Sequence, residues 1–354
     1  MKRSHSSEEI RDFIVNNIEE NPNSINRIVS EKFKVSRQSV HKHLLNLIKE
    51  GLLKAEGTTR NRRYSLKPII NEVFPLSINS QLEEDVIWRQ KLRPFLETLR
   101  NNIIEICHYG FTEMMNNVVD HSVSTSAMVS LTLLPNRIEL CVKDEGIGIF
   151  KKISKELNLE DERHAVLELT KGKLTTDKAH HTGEGIFFTS RMFDQFSILS
   201  GSLYYLHTQG KEEDWLLQDE EKSINGTMVK MSISTKSPRT TKEVFDKYTA
   251  TGDDYSFTRT HVPVALARYG EEQLVSRSQA KRLLARLEPF KEVFLNFEGI
   301  DFVGQAFADE IFRVFKNEHP DIEIVWIRAS NEVENMIKRV LAGSTNENQL
   351  KLKL

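Results

Sequence analysis

The sequence predicts a multidomain α/β protein, and three observations support this fold class. The chain has 354 residues, a length that suggests two or three domains. Its apolar content of 39% and its charged content of 28% are typical of an ordinary globular protein. Its C-terminal third alternates strand-like and helix-like runs, which favours a small α/β domain at that end.

Charge is unevenly distributed along the chain. Residues 1–67 contain 14 Lys and Arg but only 8 Asp and Glu, which gives this segment a net charge of +6. The whole chain carries −2, so the remainder carries −8. This asymmetry indicates an N-terminal module with an anionic partner.

Composition also argues against several classes of protein. Cys107 and Cys141 lie far apart in apolar patterns, which favours buried thiols over a disulfide or a metal pair. No apolar run is long enough to span a membrane, and the N-terminus lacks an apolar signal core. We therefore expect a cytoplasmic protein with no membrane partner.

The N-terminal module, residues 1–67, has the pattern of three helices followed by two short strands. Ser36 is a plausible N-cap of the third helix, because its hydroxyl can accept from the first turn. The expected helices cover residues 7–20, 25–33 and 37–50, and the strands cover 52–55 and 64–66. A basic loop, residues 57–63, lies between the strands.

The run Val35-Ser36-Arg37-Gln38-Ser39-Val40-His41-Lys42-His43-Leu44, with the Glu50-Gly51-Leu52 exit, resembles a winged helix-turn-helix domain. In that family the third helix enters the major groove and the wing lies on the DNA backbone. The alternative is a winged helix that binds protein and has a solvated basic face. The resemblance implies double-stranded DNA as a partner, contacted by Arg37, Gln38, Ser39, His41, Lys42, Arg60, Arg62 and Arg63.

The next segment, residues 68–95, has the composition of a connector. Pro68, Pro75 and Pro94 are spaced through it, and residues 81–93 have a helical pattern. It could couple the flanking domains or merely link them, and the sequence supports both interpretations.

Polar side chains recur at helical spacing in the centre of the chain. Glu113, Asn117 and His121 fall at i, i+4 and i+8, so they share one face of a helix. Met114 and Val118 can pack into a core on another face. A capped, half-exposed helix with a polar side is the simpler explanation, because burying unpaired polar groups is costly.

Three glycine-containing stretches follow this helix. Asp144-Glu145-Gly146-Ile147-Gly148 comes after an alternating strand pattern, and Gly183-Glu184-Gly185 opens a helical one. Gly226-Thr227 lies between two strand-like runs. Glycines let a backbone approach a ligand closely, and helix N-termini favour phosphate. Each stretch alone could be only a turn.

Taken in order, these stretches resemble the nucleotide site of the GHKL ATPase superfamily, over residues 96–235. The spacing of Glu113, Asn117 and His121 is most similar to that of the anti-sigma-factor serine kinases. The resemblance implies a two-layer α/β sandwich that binds ATP and Mg²⁺. It implies that Glu113 is a general base and Asn117 a magnesium ligand, and that His121 either orients Glu113 or satisfies a buried carbonyl. The implied cofactor-binding residues are Asn117, Asp144, Gly146, Gly148, Gly183, Gly185 and Thr227.

Within residues 96–235 we expect two helices before residue 122 and a hairpin around Pro135-Asn136. Residues 151–178 are polar and are predicted to form a mobile segment across the site. A helix at 182–196 and strands at 198–206, 215–217 and 227–234 complete the prediction.

A polar linker is predicted at residues 236–260, followed by a small α/β domain at 261–345 and a tail at 346–354. Leu295-Asn296-Phe297-Glu298-Gly299-Ile300 and the helix at Gly304-Gln305-Ala306-Phe307-Ala308 resemble a STAS-like domain, the fold of anti-sigma-factor antagonists. In those antagonists a serine at the start of the helix is phosphorylated, but Gly304, Gln305 and Ala306 carry no hydroxyl. The resemblance implies a protein partner for this domain.

These expectations combine into an ATP-binding, DNA-binding transcriptional regulator. Mg-ATP binding or slow hydrolysis by a weak ATPase would control its conformation or its assembly, for instance as a homodimer. Two alternatives stay open. One is a serine/threonine protein kinase acting on a partner protein, and the other is a dimerising mechanical ATPase.

Overall fold

The N-terminal unit consists of three helices and a two-stranded antiparallel sheet. A computed structural model describes residues 6–58, 61–79, 82–174, 183–210, 214–249, 257–268 and 272–351. Ser36 caps α3 by accepting from the Ser39 amide at 3.2 Å, as predicted. The elements are α1 (Ser7–Asn17), α2 (Ile25–Phe33), α3 (Arg37–Lys49), β1 (Leu53–Glu56) and β2 (Arg63–Leu66).

A seven-stranded sheet forms the centre of the molecule, in the order β3-β4-β5-β9-β6-β7-β8. Every pairing in it is antiparallel. The late strand β9 lies between β5 and β6, so it joins the two halves of the sheet. The strands are β3 (Ile70–Ser77), β4 (Ser126–Leu133), β5 (Arg137–Asp144), β6 (Gln195–Gly201), β7 (Leu203–Thr208), β8 (Asp214–Gln218) and β9 (Ile224–Ser234).

One face of this sheet is covered by helices because its strands alternate apolar and polar residues. In β5 every second residue is buried, and Ile138, Leu140 and Val142 lie in the core. The longest helix on that face, α5 (Asn101–His121), buries Phe111, Met115 and others against it. The remaining helices are α4 (Glu84–Ile87), α6 (Ile149–Glu156), α7 (Glu162–Lys171), α8 (Gly185–Met192) and α9 (Thr241–Tyr248).

The C-terminal part contains a three-stranded parallel sheet in the order β10-β11-β12, with helices between the strands. Its strands and helices from residue 277 onward match the predicted alternation. They are β10 (Arg259–Pro263), α10 (Arg277–Leu284), β11 (Glu292–Asn296), α11 (Gln305–Asp309), α12 (Lys316–Glu318), β12 (Glu323–Ile327) and α13 (Asn331–Lys351). A π-helical stretch, Glu310–Phe315, joins α11 to α12.

One continuous hydrophobic core includes both the seven-stranded sheet and the C-terminal sheet. A buried lysine links the two parts: Nζ of Lys171 on α7 donates to Glu168 Oε1 at 2.8 Å and to the Ala285 carbonyl at 2.7 Å. The Thr260 hydroxyl on β10 donates to the Lys171 carbonyl at 2.6 Å. Helix α7 therefore belongs to both parts of the molecule.

The N-terminal unit has its own core and contacts the β4–β5 hairpin. Leu134 of the hairpin belongs to the N-terminal hydrophobic cluster. Arg137 forms a salt bridge with Glu19, with 3.1 Å between Nη2 and Oε1. Arg137 and Asp144 are the two ends of β5, roughly 23 Å apart at 3.3 Å per residue.

The structure differs from the predicted organisation in the two segments that were predicted as a connector and a linker. Within residues 68–95, β3 pairs with β4 along its whole length, and Pro75 is tolerated because β3 is an edge strand. Within residues 236–260, α9 buries Val244 and Tyr248 in the shared core. The prolines of residues 68–95 and the polar character of residues 236–260 had suggested linkers.

Four further predictions need correction. Residues 96–121 contain one helix, α5, preceded by the 3₁₀ turn Arg93–Leu96. Residues 151–178 were predicted to be mobile, but most of them lie in α6 and α7. Val166, Leu167 and Leu169 of α7 are buried. Residues 175–178 lie outside the described chain. The predicted strand at 198–206 is the β6–β7 hairpin. Finally, α13 continues to Lys351, into the range predicted as a tail.

Candidate functional site

A pocket opens between α5, α6, α7, the start of α8 and the central strands. It encloses about 1120 Å³, a volume that includes the open space at its mouth. We call it the glycine pocket, after Gly148, Gly183 and Gly185 in its lining. The predicted site residues that line it are Glu113, Asn117, Asp144, Gly148, Gly183, Gly185 and Thr227.

Helix α5 supplies the polar wall. Glu113, Asn117 and His121 all line the pocket, so the face predicted from their spacing is the face that the fold turns toward it. Met115 and Phe111, on the opposite side, are fully buried in the core. The helix therefore presents its polar face to the pocket while its apolar face holds it on the sheet.

Asp144 lies at the base of the pocket, at the end of β5, and is 3% exposed. Its Oδ1 accepts from the Gly146 amide at 2.8 Å. Burial raises the pKa of Asp144, and the backbone N–H groups of Gly146 and Thr227 partly offset this effect. A buried carboxylate beside open space is a strong acceptor for a ligand N–H group.

Thr227 is oriented by the start of α6. Its Oγ1 accepts from the Ile149 amide at 3.0 Å, so the hydroxyl proton is available for another acceptor. The adjacent Gly226 has a φ of +74°, and a side chain there would overlap the Asp144 carbonyl. This turn therefore requires glycine and places Thr227 next to Asp144.

Two glycines at the mouth of the pocket permit close approach. Gly183 has a φ of +71°, and a Cβ there would overlap the Leu174 backbone. A Cβ on Gly185 would overlap the Glu113 carboxylate. Gly185 is also the first residue of α8, so N–H groups at the free end of this helix face the pocket.

Gly146 does not line the pocket, in contrast to the prediction that it leaves room for a ligand. A Cβ there would overlap the Ser122 carbonyl at the end of α5. Ser122 also accepts from the Ile147 amide at 3.0 Å. Gly146 therefore allows the loop after β5 to pack on α5, and its amide holds Asp144.

Two residues that sequence reasoning missed belong to the site. The Tyr109 hydroxyl hydrogen-bonds to Glu113 one helical turn away, and burial together with the charges of Glu113 and Glu184 raises the pKa of this phenol. Lys152 on α6 lines the pocket, with Nζ 3.2 Å from the His121 carbonyl. The i−4 spacing from Glu113 was a signal for Tyr109, whereas Lys152 lay in a segment predicted to be mobile.

The predicted DNA-contacting residues lie on one unit, distant from the glycine pocket. Arg37, Gln38, Lys42 and Arg63 are exposed, whereas Ser39, His41 and Arg62 are partly buried. The Arg62 guanidinium lies 5.7 Å from the Tyr64 ring centroid, which orients it on β2. Arg60 lies outside the described residues.

Comparison with known proteins identifies the C-terminal part. Residues 279–334 match the family described as a STAS-like domain of unknown function (DUF4325). This part of the chain is a STAS-like domain, as predicted. No curated protein matches the chain.

The described residues show neither a metal cluster nor a membrane-spanning helix. They contain no cluster of three or more His, Cys, Asp or Glu side chains that could hold a metal ion. None of their helices combines the length and apolar character needed to cross a bilayer. Cys107 and Cys141 are free thiols, as expected, and burial raises the pKa of Cys107 to about 12.

Proposed function

We propose that this protein is a DNA-binding regulator whose glycine pocket binds Mg-ATP. One observation carries the proposal. Four separate stretches of sequence deliver a carboxylate-amide helix face, a buried aspartate, two close-approach glycines and a threonine to a single pocket. This is the residue set that the GHKL resemblance assigns to nucleotide binding.

Each end of the pocket suits one part of ATP. Asp144 and Thr227, at the base, offer an acceptor and a hydroxyl for the adenine edge. Gly183 and the start of α8 lie at the mouth, where backbone N–H groups can approach phosphate oxygens. Lys152 adds a cation on the same side as α6.

The pocket also fits a magnesium ion carried by the nucleotide. Mg²⁺ commonly takes only one or two protein ligands and completes its shell with phosphate oxygens and water. Asn117 would be the protein ligand, which agrees with the lack of a dedicated metal cluster among the described residues. When bound, the ion would neutralise phosphate charge.

Glu113 is the residue suited to slow hydrolysis. Its carboxylate lies against Gly185 and accepts from the Tyr109 hydroxyl, so it is held at the mouth of the pocket, where the phosphates would lie. A carboxylate in that position can take the proton of an attacking water. In a protein kinase, a hydroxyl of a partner would replace the water.

The two ends of the chain supply the partners in this proposal. The basic helix α3 and the β1–β2 strands present their cationic side chains outward for double-stranded DNA. The STAS-like domain would bind a partner protein. Pairing of two subunits around nucleotide is a further route by which ATP could act.

The test is nucleotide binding and turnover by the full chain. Calorimetry should detect Mg-ATP binding, and Glu113→Ala should slow hydrolysis roughly 10²-fold while leaving affinity largely intact. Glu105→Ala, an exposed glutamate on the same helix, is the matched control and should change neither quantity. Absence of nucleotide binding by the wild type would refute the proposal.

Phosphate transfer separates the alternatives. If labelled phosphate from ATP passes to a partner protein rather than to water, the kinase function replaces the proposed regulator. If ATP drives dimerisation with no effect on DNA binding, the mechanical ATPase is favoured instead.

A further inference from the structure

A second pocket lies where the central sheet meets the C-terminal sheet, at the opposite end of α8 from the glycine pocket. It encloses about 400 Å³ including its mouth. We call it the arginine pocket, after Arg191 at the end of α8. Its wall comes from both sheets: His207 lies on β7, Asp214 on β8, His261 on β10 and Asn296 on β11.

The buried charges of this pocket are arranged around Arg191, which is 5% exposed. Its Nη1 lies 3.0 Å from His207 Nδ1, and its guanidinium lies 5.0 Å from the Phe187 ring centroid. Burying an arginine is costly unless a negative group compensates it. Among the described residues that line the pocket, Asp214 is the only one with a carboxylate.

Asp214 is already engaged by groups of the protein. Its Oδ1 accepts from the Tyr205 hydroxyl at 2.9 Å and lies 2.7 Å from His207 Nδ1. Arg191 and the histidine hold the pKa of Asp214 below its usual value despite burial, so the carboxylate is charged. Among the described residues, the single carboxylate of Asp214 is shared by Tyr205, His207 and Arg191. Hydrogen-bond donors therefore outnumber carboxylates in this part of the pocket.

Lys247 adds a second cation at the mouth. It is exposed on α9, and its Nζ lies 5.3 Å from the Tyr248 ring centroid. Among the described residues it forms no salt bridge, whereas Lys242 on the same helix pairs with Asp246. Among the described residues that line the pocket, two cations therefore accompany one carboxylate.

His261 is a fixed hydrogen-bonding group in the wall of the pocket. Burial, Arg191 and Lys247 lower the pKa of this imidazole to about 3, so it is neutral at physiological pH. The ring is held by stacking on Phe294, with centroids 4.6 Å apart, and by an edge contact with Tyr248. A fixed, neutral imidazole can donate one hydrogen bond to a ligand without adding charge.

We propose that the arginine pocket binds the phosphate or carboxylate group of a small molecule. Arg191 and Lys247 would supply the charge, while His261 and the Asn296 amide supply directional hydrogen bonds. The space of about 400 Å³ includes the open mouth, so the pocket has room for a small anion but not for a nucleotide. This inference is independent of ATP binding in the glycine pocket.

The experiment titrates inorganic phosphate, and separately malonate, into the full-length protein at constant ionic strength set with chloride. Binding is followed by calorimetry and by the histidine ring signals in NMR spectra. Lys247→Ala should weaken anion binding roughly fivefold, because it removes one exposed charge partner. His261→Phe, which keeps the stacking on Phe294, should also weaken binding and should remove the responding ring signal.

One control locates the site. Lys242→Ala lies on the same helix but outside the pocket, and it should bind like the wild type. The tighter of the two anions identifies a phosphate-bearing or a carboxylate-bearing ligand. Wild-type protein that binds neither anion, or variants Lys247→Ala and His261→Phe that bind with unchanged affinity, would overturn the proposal.

Discussion

The first residue of α8, Gly185, lies against the carboxylate of Glu113, with no room between them for a methyl group. Gly185→Ala should therefore displace the carboxylate while leaving the helix intact, since alanine suits a helix better than glycine. We expect ATP turnover to fall roughly 10-fold or more, because small misplacements of catalytic groups are costly. Steady-state kinetics would measure this loss.

A double variant checks the cause. If Gly185→Ala acts by moving Glu113, adding it to Glu113→Ala should cause little further loss, because both changes affect one interaction. Fully additive losses would show that Gly185 acts by another route. Unchanged turnover in Gly185→Ala alone would show that the contact is irrelevant to hydrolysis.

Asp144→Asn should weaken ATP binding roughly 10-fold or more, because an amide can leave an unpaired donor facing the adenine amino group. Glu145→Gln, at the exposed neighbouring position, is the control and should leave affinity unchanged. Calorimetry of both variants with ATP measures the difference. Equal affinities in Asp144→Asn and the wild type would remove Asp144 from the site.

We predict that no phosphate is added at the start of α11. Gly304, Gln305 and Ala306 offer no hydroxyl there, so the STAS-like domain cannot be modified in the way of the antagonists that it resembles. Mass spectrometry after incubation with Mg-ATP should find this peptide unmodified. A phosphopeptide covering these residues would invalidate the alignment on which the comparison with those antagonists depends.

DNA binding should fall steeply with salt, because a helix and two strands with several exposed cations neutralise phosphates. Arg62→Ala should weaken binding to all sequences alike and reduce the salt slope by about 1, whereas Gln38→Ala should relax specificity at one base pair. Lys338→Ala removes an exposed lysine on α13 and serves as the charge-matched control. Salt-dependent binding assays with several duplexes distinguish these effects. Equal losses in all three variants would indicate a nonspecific charge effect.

ATP and DNA affinities should be linked if the glycine pocket acts on the N-terminal unit. Linkage requires each ligand to change the affinity of the other by the same factor. Coupling free energies are commonly about 1–3 kcal/mol, which corresponds to roughly a 5–150-fold change in affinity. A two-way titration with operator DNA and a non-hydrolysable ATP analogue measures both factors. Identical DNA affinities in both nucleotide states would show that the pocket is not a switch.

Strand β5 offers a variant for the same experiment. It carries Asp144 at one end and, at the other, Arg137, which pairs with Glu19 of the N-terminal unit. Arg137→Ala should reduce the coupling while leaving each separate affinity nearly unchanged, because it touches neither site. Unaltered coupling in Arg137→Ala would show that the signal takes another path.

Most residues that line the glycine pocket and were named from the sequence carry a local signal. Glu113 and Asn117 lie one helical turn apart, and the glycines flank recognisable strand and helix patterns. Gly146 was assigned to the ligand because its contact with Ser122 joins residues distant in sequence. Tyr109 was missed although it lies four residues before Glu113, because a core tyrosine can occupy the same spacing as one that holds a carboxylate.

The segments that sequence analysis left unstructured are ordered by long-range contacts. Strand β10 contains Arg259, Thr260 and His261, which give a polar pattern, yet Thr260 is fully buried because its hydroxyl bonds to the Lys171 carbonyl. Lys171 itself is 1% exposed, and its Nζ donates a hydrogen bond to the carbonyl of Ala285, directly after α10. No periodicity reveals a polar residue that is satisfied by a distant partner.

Strand order also constrains how the protein is made. Strand β9 is the middle strand of the central sheet, but it is the last of the seven to leave the ribosome. Until it is synthesised, the β3-β4-β5 and β6-β7-β8 sets are separate sheets with open inner edges, and such edges invite mispairing. Formation of the complete sheet must therefore wait for residues 224–234, so we expect slow folding of high contact order and sensitivity to chaperones during synthesis.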